Sequence, residues 1–160
     1  MFFSLEEIKK LKSVEGKVLK NVFFHKWQNN IKADYLIEFL EYIQFDFTDN
    51  TNILLTSTED SEGLKVENED IESIKNKISF EFNGDILIKT VNVSEHYHWI
   101  SSLGQVVKEV GIMSDDGSHF SNEAILINFG GLEFEILPAE EGIELRTFED
   151  RENDEEFENI

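Results

Sequence analysis

Three short segments of this chain recur in the same order in its second half, and that repetition restricts the fold more than any other feature. Gly16-Lys-Val-Leu-Lys-Asn-Val22 aligns with Gly104-Gln-Val-Val-Lys-Glu-Val110, with four identities in seven positions. Ile43-Gln-Phe-Asp-Phe47 then matches Ile125-Leu-Ile-Asn-Phe129, and Glu62-Gly-Leu-Lys-Val66 matches Glu141-Gly-Ile-Glu-Leu145. The offset falls from 88 to 82 to 79 residues, as shorter loops in the second copy would produce. Each copy reads as a glycine, a strand with valines on one face, a variable loop, a strand ending in Phe, a hairpin, and a glycine opening a last strand. Short Ile/Val alternation also recurs by chance, but three matches in order favour an internal duplication. One unit alone would leave its apolar face wet, so two must pack together. The pattern predicts a mainly β (α+β) chain of two similar antiparallel β units, about 13–66 and 101–148, around one core. A single domain over 1–148 follows.

Local signals fill in the elements. Ser4-Leu-Glu-Glu-Ile-Lys-Lys-Leu-Lys12 predicts a short N-terminal helix. Ser4 is placed to cap it and Glu7 to close a capping box, while the lysines fall late, where the helix dipole favours them. Leu5, Ile8 and Leu11 would share a face. Strand is expected from Val18 through Trp27, over 42–47 and at 53–58, around a turn at Asp49-Asn-Thr-Asn52. Residues 35–41 fit strand or helix, with strand favoured. An acidic connection covers 58–77, with room for one helical turn near Ile71 and Ile74. Ile78 to Val91 reads as a hairpin insert at 78–91, because Asn83-Gly84 between apolar runs suits a type I′ turn. The last strands are expected within 124–136 and 143–148. Residues 149–160 read as a disordered acidic tail by composition.

Charge narrows the function classes. The net charge is −20, yet residues 1–32 carry seven Lys against three Glu. Acidity is therefore concentrated in the rest of the chain, which makes nucleic acid and anionic membranes poor partners and a basic protein a good one. Solubility alone also accounts for acidic surfaces. The chain has no cysteine, which removes disulfides, thiolate metal sites and cysteine catalysis together. The opening residues turn acidic at once, so no secretory leader is expected, and no apolar run approaches membrane-spanning length. The cytoplasm is the expected compartment. With three Ala, one Pro and abundant Ile, Asn, Phe and Lys, the usage suggests an AT-rich bacterial or phage genome.

Catalytic signatures are missing: there is no Gly-x-Ser-x-Gly, P-loop, Rossmann glycine set or His-Glu-x-x-His. On a strand, His96 and His98 of Glu95-His-Tyr-His-Trp99 would share a face, and His119 beside Asp115 and Asp116 could add ligands. Such a His-x-His also arises by chance, so the expectation is no metal and no cofactor. Asp46-x-x-Asp49-Asn-x-Asn52 lacks the glycine and closing Glu of a calcium loop and reads as a turn. Trp27 follows two Phe and reads as core, whereas Trp99 beside a polar run reads as a partly exposed interface anchor.

The acidic strands carry the more specific signal. In Leu132-Glu-Phe-Glu-Ile136 the apolar residues alternate inward and send Glu133 and Glu135 outward together. Glu144 and Asp46 are turned out by the same logic, Glu140 and Glu141 sit in a turn, and Asp115 and Asp116 in a loop. These eight carboxylates with Trp99 form the candidate partner-binding set. The expected protein is a non-enzymatic binding module of the bacterial immunity or inhibitor type, monomeric and blocking a basic partner such as a toxin nuclease domain. A nucleic-acid mimic, a scaffold module and a metal-dependent enzyme are the competing readings.

Overall fold

The computed structural model describes residues 1–31 and 37–147. The chain runs α1 (Leu5–Ser13), β1 (Leu19–Asn29), β2 (Ile37–Phe47), β3 (Asn52–Ser57), β4 (Leu64–Val66), α2 (Ile71–Glu81), β5 (Ile86–Asn92), α3 (Tyr97–Ile100), β6 (Glu109–Gly111), β7 (Ile125–Asn128), β8 (Glu133–Pro138) and β9 (Ile143–Thr147). Two antiparallel sheets result, ordered β4-β3-β2-β1-β5 and β6-β7-β8-β9. The fold is thus mostly β, with two β units and a short N-terminal helix. The tail at 149–160 and positions 35 and 36 of the ambiguous stretch lie outside the described residues.

The two sheets repeat the same meander in the same register. Val22 pairs with Phe45 in the first and Val110 with Ile127 in the second. Phe45 then faces Ile53 as Ile127 faces Phe134, and Leu55 faces Val66 as Ile136 faces Leu145. The turns that follow start from equivalent Phe residues but differ by one residue, Phe47 N–H donating to the Thr51 carbonyl and Phe129 N–H to that of Leu132. β5 is the extra strand of the first sheet.

Inner faces pack against each other. Leu19, Val22, Ile43, Phe45 and Leu55 meet Val110, Ile125, Ile127, Phe134 and Ile136 in one core. In both copies the buried residues of the first strand region lie three apart, Leu19 with Val22 and Val107 with Val110, rather than two. In the first copy a register irregularity between Leu19 and Asn21 accounts for the spacing, since an extra residue shifts the alternation.

α1 closes the gap between the sheets, and its capping residue also serves a sheet edge. Ser4 and Glu7 form the capping box, and the other Glu7 carboxylate oxygen accepts from Val66 N–H on the open edge of β4 at 2.8 Å. At the far end Glu15 accepts from Val110 N–H at 2.9 Å and Lys12 Nζ donates to the Val110 carbonyl at 2.7 Å. The helix therefore satisfies edge groups of both sheets, which protects them from pairing with other chains. Leu11 is buried, but Leu5 is 70% exposed and does not share the packed face.

The hairpin expected at 78–91 is not formed. Ile78–Glu81 ends α2, whose N-cap is Asp70, accepting from Ser73 N–H at 2.9 Å. Ile71, Ile74 and Ile78 recur at helical spacing and pack on Tyr42, Leu54, Ile88 and Trp27, covering the outer face of the first sheet. Asn83 and Gly84 do take positive φ, 53° and 80°, as a type I′ turn would need. They instead terminate the helix in a Schellman motif, with Gly84 N–H donating to the Ser79 carbonyl and Asn83 N–H to that of Phe80. Only β5 of the expected hairpin is strand, and it pairs with β1.

Candidate functional site

The expected site residues fall on separate surfaces. Glu133, Glu135 and Glu144 do share the outer face of the second sheet, because Phe134, Ile136 and Ile143 are buried on the other side. Glu109 joins them: Glu109 pairs with Asn128, and Asn128 with Glu133, in adjacent strands. This carboxylate was missed by sequence reading, although the burial of its neighbour Val110 follows from the repeat. Arg146 is the one basic side chain at the paired positions of this face among the described residues. It lies opposite Glu135, and its Nε sits 3.3 Å from Glu144 Oε1.

No helix among the described residues covers this face. α2 covers the equivalent face of the first sheet, where Leu54 holds the position that Glu135 holds in the second. Asp46 lies on that first-sheet face, half-buried, accepting from Gln44 Nε2 at 2.7 Å, and does not join the glutamates.

Glu140 and Glu141 are exposed in the β8–β9 turn and line a separate concavity of about 390 Å³ with Glu41, Tyr42 and Lys65. Glu41 is the extra residue where the β1–β2 register shifts between His25 and Lys26. Burial pushes its carboxyl above the ordinary range, against the opposing pull of Thr56 and Lys65. Asp115 and Asp116 occupy the β6–β7 loop. Asp116 accepts from His119 Nδ1 at 2.7 Å and from the N–H groups of His119 and Ser118, which hold its carboxyl well below the usual carboxylate range.

Compared with known proteins, the chain matches no family model, no curated protein and no solved structure. Function is therefore read from the residues themselves.

Trp99 is not an exposed anchor. It is 1% exposed, stacked on Phe134 at a centroid distance of 4.0 Å and edge-on to Phe45 at 5.5 Å, so it joins the two sheets from inside. Its sequence neighbours are polar, but α3 turns the Trp99 side chain inward. The segment is not a strand: His96 precedes α3, so the strand premise for a His96/His98 pair does not hold. Among the described residues no group of three His, Asp or Glu is placed to hold a metal ion, and the His98 side chain lies outside the described ones. Trp27 is half-buried, stacked on Phe39 and edge-on to Phe82. No helix among the described residues is long and apolar enough to cross a membrane.

Proposed function

We propose that the protein is a binding module of the immunity or inhibitor type, which neutralises a basic protein partner such as a toxin nuclease domain. The observation that carries this reading is the outer face of the second sheet, which no helix among the described residues covers. That face carries Glu109 on β6, Glu133 and Glu135 on β8 and Glu144 on β9, with Arg146 the basic side chain at its paired positions among the described residues. No two of these glutamates are directly opposite, since Glu109 and Glu133 both face Asn128 and Glu135 faces Arg146. The sheet therefore tolerates the acidic face at little cost and leaves its negative field available to a cationic partner. A field of this sign accelerates encounter with a basic protein by about 10- to 1,000-fold, and salt suppresses it.

The experiment is to capture partners from the source cell at low salt, with wild type and with E133K/E135K as baits, and to measure the affinity of a captured basic protein by calorimetry at low and physiological salt. Wild type should bind, and lose about tenfold or more in affinity at the higher salt. The E133K/E135K double variant should not bind, while its melting temperature stays within the small shift expected from a second cation opposite Arg146. Equal binding by the double variant, indifferent to salt, would reject the reading.

A further inference from the structure

A second surface, separate from the sheet face, couples exposed apolar side chains to carboxylates. Met1, Phe2 and Met113 are 82%, 58% and 70% exposed and line one concavity of about 700 Å³. Glu62, Asp115, Asp116 and Glu123 stand around it, and the cationic groups among the lining residues are the His119 side chain and the Met1 ammonium, which donates to Asn122 Oδ1 at 2.6 Å.

The apolar floor is held in place by backbone bonds. Phe2 forms an antiparallel bridge with Ser121, Phe3 N–H donates to the Phe120 carbonyl, and Ser121 N–H donates to that of Met113. Asp116 ties down the facing loop through Ser118 and His119, and the His119 ring lies 5.3 Å from that of Phe2. Phe2 and Met113 are thus each tied to Ser121, and both line the concavity in the open, as exposed apolar side chains at an interaction site do. Methionine adapts its shape to an incoming side chain.

We infer that this groove seats a basic segment of a partner protein, with one large apolar side chain on Phe2 and Met113 and flanking Lys or Arg on the carboxylate rim. The rim disfavours nucleic acid and anionic lipid. The net charge of −20 opposes occupation by a second copy. The inference extends the proposed recognition of a basic partner, but places the contact on different residues.

The chain's two methionines both lie in the groove, so methionine-methyl NMR reads it directly. The probe is a synthetic lysine-rich peptide with one central leucine. It should shift both methyl signals, bind about tenfold more weakly when the leucine becomes serine, and fail when its lysines become glutamates. M113Q and, separately, E123K should each weaken it about tenfold with melting temperature unchanged. Unmoved methyl signals, equal affinity of the serine peptide, or methyl shifts that grow with protein concentration alone would overturn the inference. So would loss of peptide binding in E133K/E135K with retention in M113Q. Peptide binding in the groove with partner binding intact in E133K/E135K would sustain this inference and reject the sheet-face reading.

Discussion

Val18 and Val106 face each other in a single antiparallel bridge, at the centre of a hydrogen-bond pattern that is unchanged when the two halves of the chain are exchanged. Gly16 N–H donates to the Val107 carbonyl as Gly104 N–H donates to that of Leu19. Leu19 N–H donates to the Gln105 carbonyl as Val107 N–H donates to that of Lys17. The repeated glycine-valine segments thus join the two sheets by pairing with each other.

The amides of Gly16, Leu19, Gly104 and Val107 should therefore exchange with deuterium together, at the rate set by global unfolding. Faster exchange of the Gly16 and Leu19 pair alone would show that the halves open separately.

Trp99→Ala should destabilise the protein by about 3–5 kcal/mol, since it empties the space between Phe45 and Phe134. Trp99→Phe should cost clearly less, because a smaller aromatic keeps part of the stack. Chemical denaturation followed by circular dichroism measures both. A loss under about 1 kcal/mol for the alanine variant would contradict the burial of this ring.

Two glycines share a positive φ but differ in surroundings. Gly84 has open space where a Cβ would stand, so Gly84→Ala should cost only the left-handed backbone term, about 1–2 kcal/mol. At Gly142 a Cβ would overlap the Leu40 carbonyl of β2. Gly142→Ala should then cost more than about 2 kcal/mol, as strain and overlap add. Equal melting temperatures for the two variants would refute the close approach of the β8–β9 turn to β2.

His25 is buried under α2, with Thr90 Oγ1 at 2.8 Å from Nδ1 and Gln44 Oε1 at 2.9 Å from Nε2. Because Gln44 gives its amide to Asp46, its oxygen accepts from Nε2–H, and Nδ1 accepts from the Thr90 hydroxyl. Burial lowers the imidazole pKa; Gln44, Asp46 and Glu72 oppose this, and Lys75 reinforces it. The unfolded chain then binds a proton more readily, so the neutral-His contribution is complete above about pH 6.5 and declines as pH falls below it. His25→Gln should abolish that decline. The measurement is the stability difference between wild type and variant across pH 7 to 5, which cancels the carboxylates common to both.

Three features were legible in the chain before it folded: the repeat, the capped first helix, and the alternation that buries Phe134 and Ile136 while turning out Glu133 and Glu135. These are periodic or adjacent-residue signals, and local sterics and hydrogen bonding are enough to set them. Long-range packing decided the rest. Ile78, Phe80 and Phe82 suit a strand by alternation, yet Ile71, Ile74 and Ile78 suit a helix, and the first sheet's outer face supplied the apolar surface that selected the helix. Asn83-Gly84 kept its left-handed backbone under either outcome, so the dipeptide could not choose between them. Trp99 became core because α3 aims it between the sheets. Met113 and Phe2 came to line one concavity only through bonds to Ser121, the Phe2 bridge joining residues far apart in sequence, which no local pattern encodes.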